Sequence, residues 1–201
     1  MIVHAYADTT GSPYTVTATF GGEEDFAGST TTATHTVEQA PTSITVASAP
    51  NPSLVGESVA FTVTVTPQAP GAGAPTGTVT LDFGDDTTPV TLPLTEASAT
   101  TSHTYTSAAG SPYPVTATYH GDADFTGSTT THAHRVRRAL TLTTVTMAPT
   151  PSVAGETVTF TATVAPAAHG AGTPTGTVTF DFGDGTTPVT ATLSGGTATT
   201  S

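Results

Sequence analysis

The chain is 201 residues long, enough for one or two domains with real cores, and sets 15 Asp+Glu against 3 Lys+Arg for a formal net charge of -12. The cations are all arginines, Arg135, Arg137 and Arg138, so phosphate backbones and anionic lipid would repel the molecule, which argues against nucleic acid and membrane surfaces as partners. Cysteine is absent, no apolar run approaches the ~18 residues of a membrane span, and the start "MIVHAYADTT" lacks the basic and apolar regions of a secretory leader.

Taken in chain order, the first recognisable phrase, "HAYADTTGSPYTVTATF" from His4, reads as the continuation of something begun earlier. "TSITVA" (42–47) is strand-like, and "ESVAFTVTVT" (57–66) sets Val59, Phe61, Val63 and Val65 on one face with Ser58, Thr62 and Thr64 on the other. "GTVTLDF" (77–83) does the same with Val79, Leu81 and Phe83, and "PVTLPLT" (89–95) and "SATTSHTY" (98–105) follow. "YPVTATY" (113–119) then lines up Tyr113, Val115, Ala117 and Tyr119 ahead of "STTTHAHRV" (128–136). A period of two, apolar in and threonine out, predicts half-buried antiparallel sheet. Breakers such as "PQAPGAGAPTG" (67–77) and "GDADFTGS" (121–128) separate the runs, and no segment shows a helical period. Low charge with many β-branched residues favours strands over disorder. The expected fold is therefore all-β, an immunoglobulin-like antiparallel β-sandwich.

The chain also repeats. Shifted by 99 residues, positions 4–102 align with 103–201 without a gap, and 60 of them are identical. "PTGTVTLDFGDDTTPVT" (75–91) returns as "PTGTVTFDFGDGTTPVT" (174–190), and "GSPYTVTAT" (11–19) returns as "GSPYPVTAT" (110–118). A tandem repeat of 99 residues is a whole domain. The weakest joints fall at "EQAP" (38–41) and "RRAL" (137–140), which divides the chain into three parts. Residues 1–39 read as the C-terminal part of one unit, 40–138 as a complete unit, and 139–201 as the N-terminal part of another. A linker of four residues reaches about 14 Å, less than the ~40 Å length of a sandwich, so the two parts are expected to meet between chains rather than within one.

"TVTLDFGDDTT … SHTYTSAAGSPYPVTATY" resembles the PKD-type immunoglobulin-like domain, with its DFGDG turn, HTY and YxVT strand. "PNPSLVGESVAFTVTVTP … PTGTVT … TATYHGDADFTGST" is similar to the bacterial Ig-like repeats (group 3) that occur in tandem in large secreted actinobacterial proteins. The tryptophan common in the PKD turn is replaced by Thr80 or Leu81, which favours the Ig-like repeats. This resemblance implies an extracellular spacer, adhesin or accessory module, with no catalytic residues to carry over.

Candidate sites are few. Asp82 and Asp85 flank a glycine turn, as do Asp181 and Asp184, and Asp122 and Asp124 share a third turn. All six are weak calcium candidates, since calcium needs six or more oxygens and turn aspartates usually cap their own amides. The "EED" turn at Glu23, Glu24 and Asp25 reads the same way. His132 and His134 share a strand face that zinc could use, but a solvated face is the plainer expectation, and His4 and His103 are expected to bond the adjacent turn. No catalytic site or cofactor is expected, because no acid–base pair or G-x-S-x-G nucleophile stands out.

Three function classes follow. The first is a non-enzymatic extracellular or cell-surface structural repeat, with its terminal portions complementing other copies head to tail into a filament. A closed, reciprocally swapped pair, or an arbitrary cut from a longer array, are the competing organisations. The second is a module binding polysaccharide or a cell surface, which needs an exposed aromatic platform, whereas Tyr105, Tyr113 and Tyr119 fall on inward or turn positions. An enzyme is the third and the least supported.

Overall fold

The computed structural model describes residues 1–167 and 172–201. Among these it holds sixteen strands and no helix. The first five strands are β1 (Tyr14–Phe20), β2 (Ser29–His35), β3 (Thr42–Ala49), β4 (Ser53–Leu54) and β5 (Ser58–Pro67). Next come β6 (Thr78–Asp82), β7 (Val90–Pro93), β8 (Ser98–Thr104), β9 (Tyr113–Tyr119), β10 (Ser128–His134) and β11 (Val136–Arg137). The chain ends with β12 (Thr141–Ala148), β13 (Thr159–Pro166), β14 (Thr177–Phe180), β15 (Val189–Thr192) and β16 (Thr197–Thr200). The all-β expectation holds, and the strands fall where the threonine alternation places them.

The sheets follow the repeat. A three-stranded sheet runs β3-β5-β8 and a four-stranded one β10-β9-β6-β7. Their C-terminal counterparts are β12-β13-β16 and β14-β15, and their N-terminal counterpart is the β1-β2 hairpin. One short parallel pair, β11 with β4, was not legible in the sequence.

The chain falls into two compact units. The first holds residues 1–47, 61–101 and 114–133. Its core is the facing alternate residues of two sheets: Phe61, Val63 and Val65 on one, Val79, Leu81, Val115 and Ala117 on the other, all at most 2% exposed. The rings of Phe61 and Phe83 meet at 5.2 Å across it. Two inward-facing sheet surfaces closing on one apolar layer make a sandwich, and the immunoglobulin-like expectation is met. Within the same unit β1 and β2 pair in strict register, Tyr14 with His35 through Phe20 with Ser29.

The second unit holds residues 48–60, 102–113 and 134–201. Its C-terminal strands build a small core of Ala162, Phe180 and Ala198, with Phe160 and Val178 packed against it. Elsewhere in this unit the Tyr113 hydroxyl donates to the Ser107 carbonyl at 2.8 Å. That reach back to the upstream backbone is the tyrosine corner of immunoglobulin-like sandwiches.

Candidate functional site: carboxylate turns and unpaired sheet faces

Four of the six candidate aspartates are occupied by their own turns. Asp82 Oδ1 accepts from the Gly84 amide at 2.9 Å, and Asp181 Oδ1 from the Gly183 amide at 3.0 Å. Asp85 accepts from the Thr87 hydroxyl and Asp184 from the Thr186 hydroxyl, both at 2.6 Å. The Thr186 hydroxyl and amide hold the Asp184 carboxyl below the usual aspartate range. These are Asx turns, in which the side chain substitutes for a backbone acceptor.

Asp122 is the most heavily used of the six. Its Oδ1 accepts from the amides of Asp124 and Phe125, both at 2.9 Å. Its Oδ2 accepts from the amide and hydroxyl of Thr76, both at 2.7 Å. Burial works to raise its pKa, but the Thr76 and turn hydrogen bonds outweigh it and hold the carboxyl below the ordinary value. Asp124 has a different task, which the sequence did not signal. Its Oδ1 accepts from the Thr9 amide at 2.8 Å, tying the N-terminal segment to the turn across 115 residues. Among the described residues no group of three or more His, Asp or Glu is placed to hold a metal.

The histidine reading needs correction. The expected solvated face at His132 and His134 does not hold for His134, which is fully buried. Its Nε2 meets the Ser53 hydroxyl at 2.9 Å and its Nδ1 the Ser48 hydroxyl at 3.0 Å. Its ring lies on Tyr105, which in turn stacks on Tyr113 with centroids 4.5 Å apart. Both serines come from distant stretches, so no local pattern marked them. His103 packs edge-on against Tyr105 at 4.7 Å. The inward placing of Tyr105, Tyr113 and Tyr119 is borne out, as all three are at most 6% exposed.

The N-terminal portion copies this arrangement. Tyr6 stacks on Tyr14 and His35, and His4 meets Tyr6 edge-on. The Tyr14 hydroxyl donates to the Asp8 carbonyl, matching Tyr113 and Ser107. Ser12 Oγ accepts from the Val37 amide, as Ser111 Oγ does from the Val136 amide. Local structure is therefore reproduced, but burial is not. Val16, Phe20 and Phe26 are 47%, 48% and 63% exposed, whereas their counterparts Val115, Tyr119 and Phe125 are 0%, 1% and 5% exposed.

The C-terminal portion shows the same deficit. Leu142, Val145 and Met147 on β12 are between 43% and 61% exposed. Beside its small core runs an open cleft lined by Val145, Met147, Phe160, Val178 and Phe180. Two glycines show the same contrast. A Cβ on Gly84 would strike Pro114 at 2.8 Å and one on Gly77 would strike the Gly121 carbonyl at 2.9 Å. At the matching Gly183 and Gly176 nothing lies within 4 Å.

A search of curated proteins finds no match to the chain. A family model for the bacterial Ig-like domain (group 3) matches residues 45–137. The strand order, the buried alternation and the tyrosine corner described above agree with that match. Over residues 45–137, therefore, this chain is similar to the bacterial Ig-like domain of group 3 and has the immunoglobulin-like fold that the match implies.

Proposed function

We propose that the chain is a non-enzymatic extracellular structural repeat whose terminal portions complete one another between copies, head to tail, to build a filament. Domains of the matched family are typically non-catalytic and often extracellular, and among the described residues no helix is long and apolar enough to cross a membrane. The observation that carries the reading is the contrast between matching residues: Val16, Phe20 and Phe26 are about half exposed where Val115, Tyr119 and Phe125 are buried. Apolar sheet faces of this kind seek a partner.

Magnitudes decide how much surface must take part. Burying a large apolar side chain gains about 1.5–3 kcal/mol, whereas association costs about 4–15 kcal/mol. The three exposed side chains of the hairpin only balance the lower end of that cost. Val145, Met147 and the Phe160 cleft must contribute as well, together with the backbone bonds of an added strand.

Electron microscopy and multi-angle light scattering of the purified chain test the reading. Filaments, or a mass growing with concentration, support it. A stable monomer at micromolar concentration overturns it, and closed dimers replace it with the reciprocal swap.

A further inference from the structure

We infer that β1 of one copy pairs antiparallel with β14 of the next in a single register, Thr19 opposite Thr179, so that two separate two-stranded sheets become one four-stranded sheet. This rests on the head-to-tail reading above and gives it a defined contact.

The template is in the chain itself. In the central sheet β6 pairs with β9, Val79 opposite Tyr119, Thr80 opposite Thr118, Leu81 opposite Ala117 and Asp82 opposite Thr116. The repeat offset of 99 residues carries β6 onto β14 and β9 onto β1. The same pairing then puts Val178 opposite Phe20, Thr179 opposite Thr19, Phe180 opposite Ala18 and Asp181 opposite Thr17. The sheet order β2-β1-β14-β15 would reproduce β10-β9-β6-β7.

Both halves are already shaped for it. On the outer face of the central sheet, threonine hydroxyls meet across strands: Thr129 with Thr118 at 3.3 Å and Thr80 with Thr91 at 2.9 Å. The hairpin holds its half of such a row, Thr30 with Thr19 at 3.3 Å, and the C-terminal sheet holds the other, Thr179 with Thr190 at 3.2 Å. On the inner face the substitutions compensate: Phe180 stands where the central domain has Leu81, beside Ala162 where it has Val63. The open space over Gly183 and Gly176 is where Thr15 and Gly22 of the second copy would lie, as Pro114 and Gly121 lie over Gly84 and Gly77.

The parallel pair closes the same joint. In the central region Ser53 pairs with Val136 and Leu54 with Arg137. The offset assigns Ser152 to Val37 and Val153 to Glu38 of the neighbouring copy, which would cover Val153, now 73% exposed.

Cross-linking reads the register directly, because the chain has no cysteine. His120 donates its amide to the Thr78 carbonyl, so the pair two residues on, Thr80 with Thr118, is also hydrogen-bonded, with Cα atoms about 5.5 Å apart and within disulfide range. The double variant Thr19→Cys/Thr179→Cys is oxidised at micromolar concentration and run without reductant. The expected result is a ladder of disulfide-linked multimers, with each single variant stopping at dimers. Thr17→Cys/Thr179→Cys, two residues out of register, should give at least ten-fold less ladder. Both threonines are exposed, so folding is not at stake. Adding Val16→Asp to the Thr19→Cys/Thr179→Cys chain should abolish the ladder without altering the circular dichroism. Scattering that shows assembly without a ladder overturns the register alone. A ladder equally strong with the shifted pair does the same. An intrachain disulfide, or a monomer by scattering, overturns the pairing between copies altogether.

Discussion

Tyr105 lies almost flat on His134, with centroids 5.0 Å apart and planes 13° from parallel. The imidazole is wedged between that ring and the hydroxyls of Ser48 and Ser53. A buried polar ring with both nitrogens satisfied contributes packing and specificity at once, and truncating it leaves a cavity and takes a hydrogen bond from each serine hydroxyl. His134→Ala should therefore destabilise the chain by about 2–4 kcal/mol in urea unfolding. The matching His35→Ala, in an exposed stack, should have a much smaller effect on the unassembled chain.

Asp122 anchors four donors, two amides of its own turn and the amide and hydroxyl of Thr76. Asp122→Ala should cost about 1–3 kcal/mol, since those donors lose their acceptor. Its folded pKa lies below the unfolded one, so the stability it contributes is fully present above the unfolded value and is lost as pH falls through the folded value. The acid limb of the stability profile, below about pH 4, should flatten in Asp122→Asn, as measured by thermal melts across pH.

Tyr119 is buried, and among the described residues its hydroxyl has no hydrogen-bond partner. Burial, with the Asp122 charge second, pushes its pKa up to about 12. Phe20 fills the same place in the other copy without a hydroxyl. Tyr119→Phe should be neutral or stabilising by up to about 1 kcal/mol, because it removes an unpaired buried group. A loss of more than that in a denaturant titration would show a partner for the hydroxyl.

Gly84 and Gly183 both have positive φ, 72° and 74°. Only at Gly84 does a Cβ collide, with Pro114. Gly84→Ala should lower the melting temperature more than Gly183→Ala, whose effect on a dilute chain is limited to about 1 kcal/mol of backbone strain. Gly183→Ala should instead weaken assembly, read by light scattering at equal concentration.

Both terminal portions are acidic, with Asp8, Glu23, Glu24, Asp25 and Glu38 in one and Glu156, Asp181 and Asp184 in the other, and neither 1–39 nor 139–201 holds a lysine or arginine. The proposed association of these portions would work against like charge. Raising salt from ~20 to ~300 mM should screen that repulsion and increase the assembled fraction, the opposite of an ion-paired interface. Sedimentation at the two salt concentrations would show it.

Strand positions were legible because a period of two leaves few choices once one face is apolar: Val59, Phe61, Val63 and Val65 are all buried as the alternation requires. The carboxylate turns were legible too, since Asp82 and Asp181 reach only two residues along the chain. Contacts closing over longer spans were not. Thr9 meets Asp124 across 115 residues and Ser53 meets His134 across 81, and neither serine nor threonine is distinguishable by sequence in a chain where both are everywhere.

By itself the sequence determined the alternation, the repeat and the turn chemistry, because each depends on neighbours within a strand or a loop. The tertiary structure decided which copies of those strands are buried. Val16 and Val115 sit in the same run of six letters, "YxVTAT", yet one is half exposed and the other sealed. Burial belongs to the opposite sheet as much as to the residue, and a strand carries no record of whether that sheet is there.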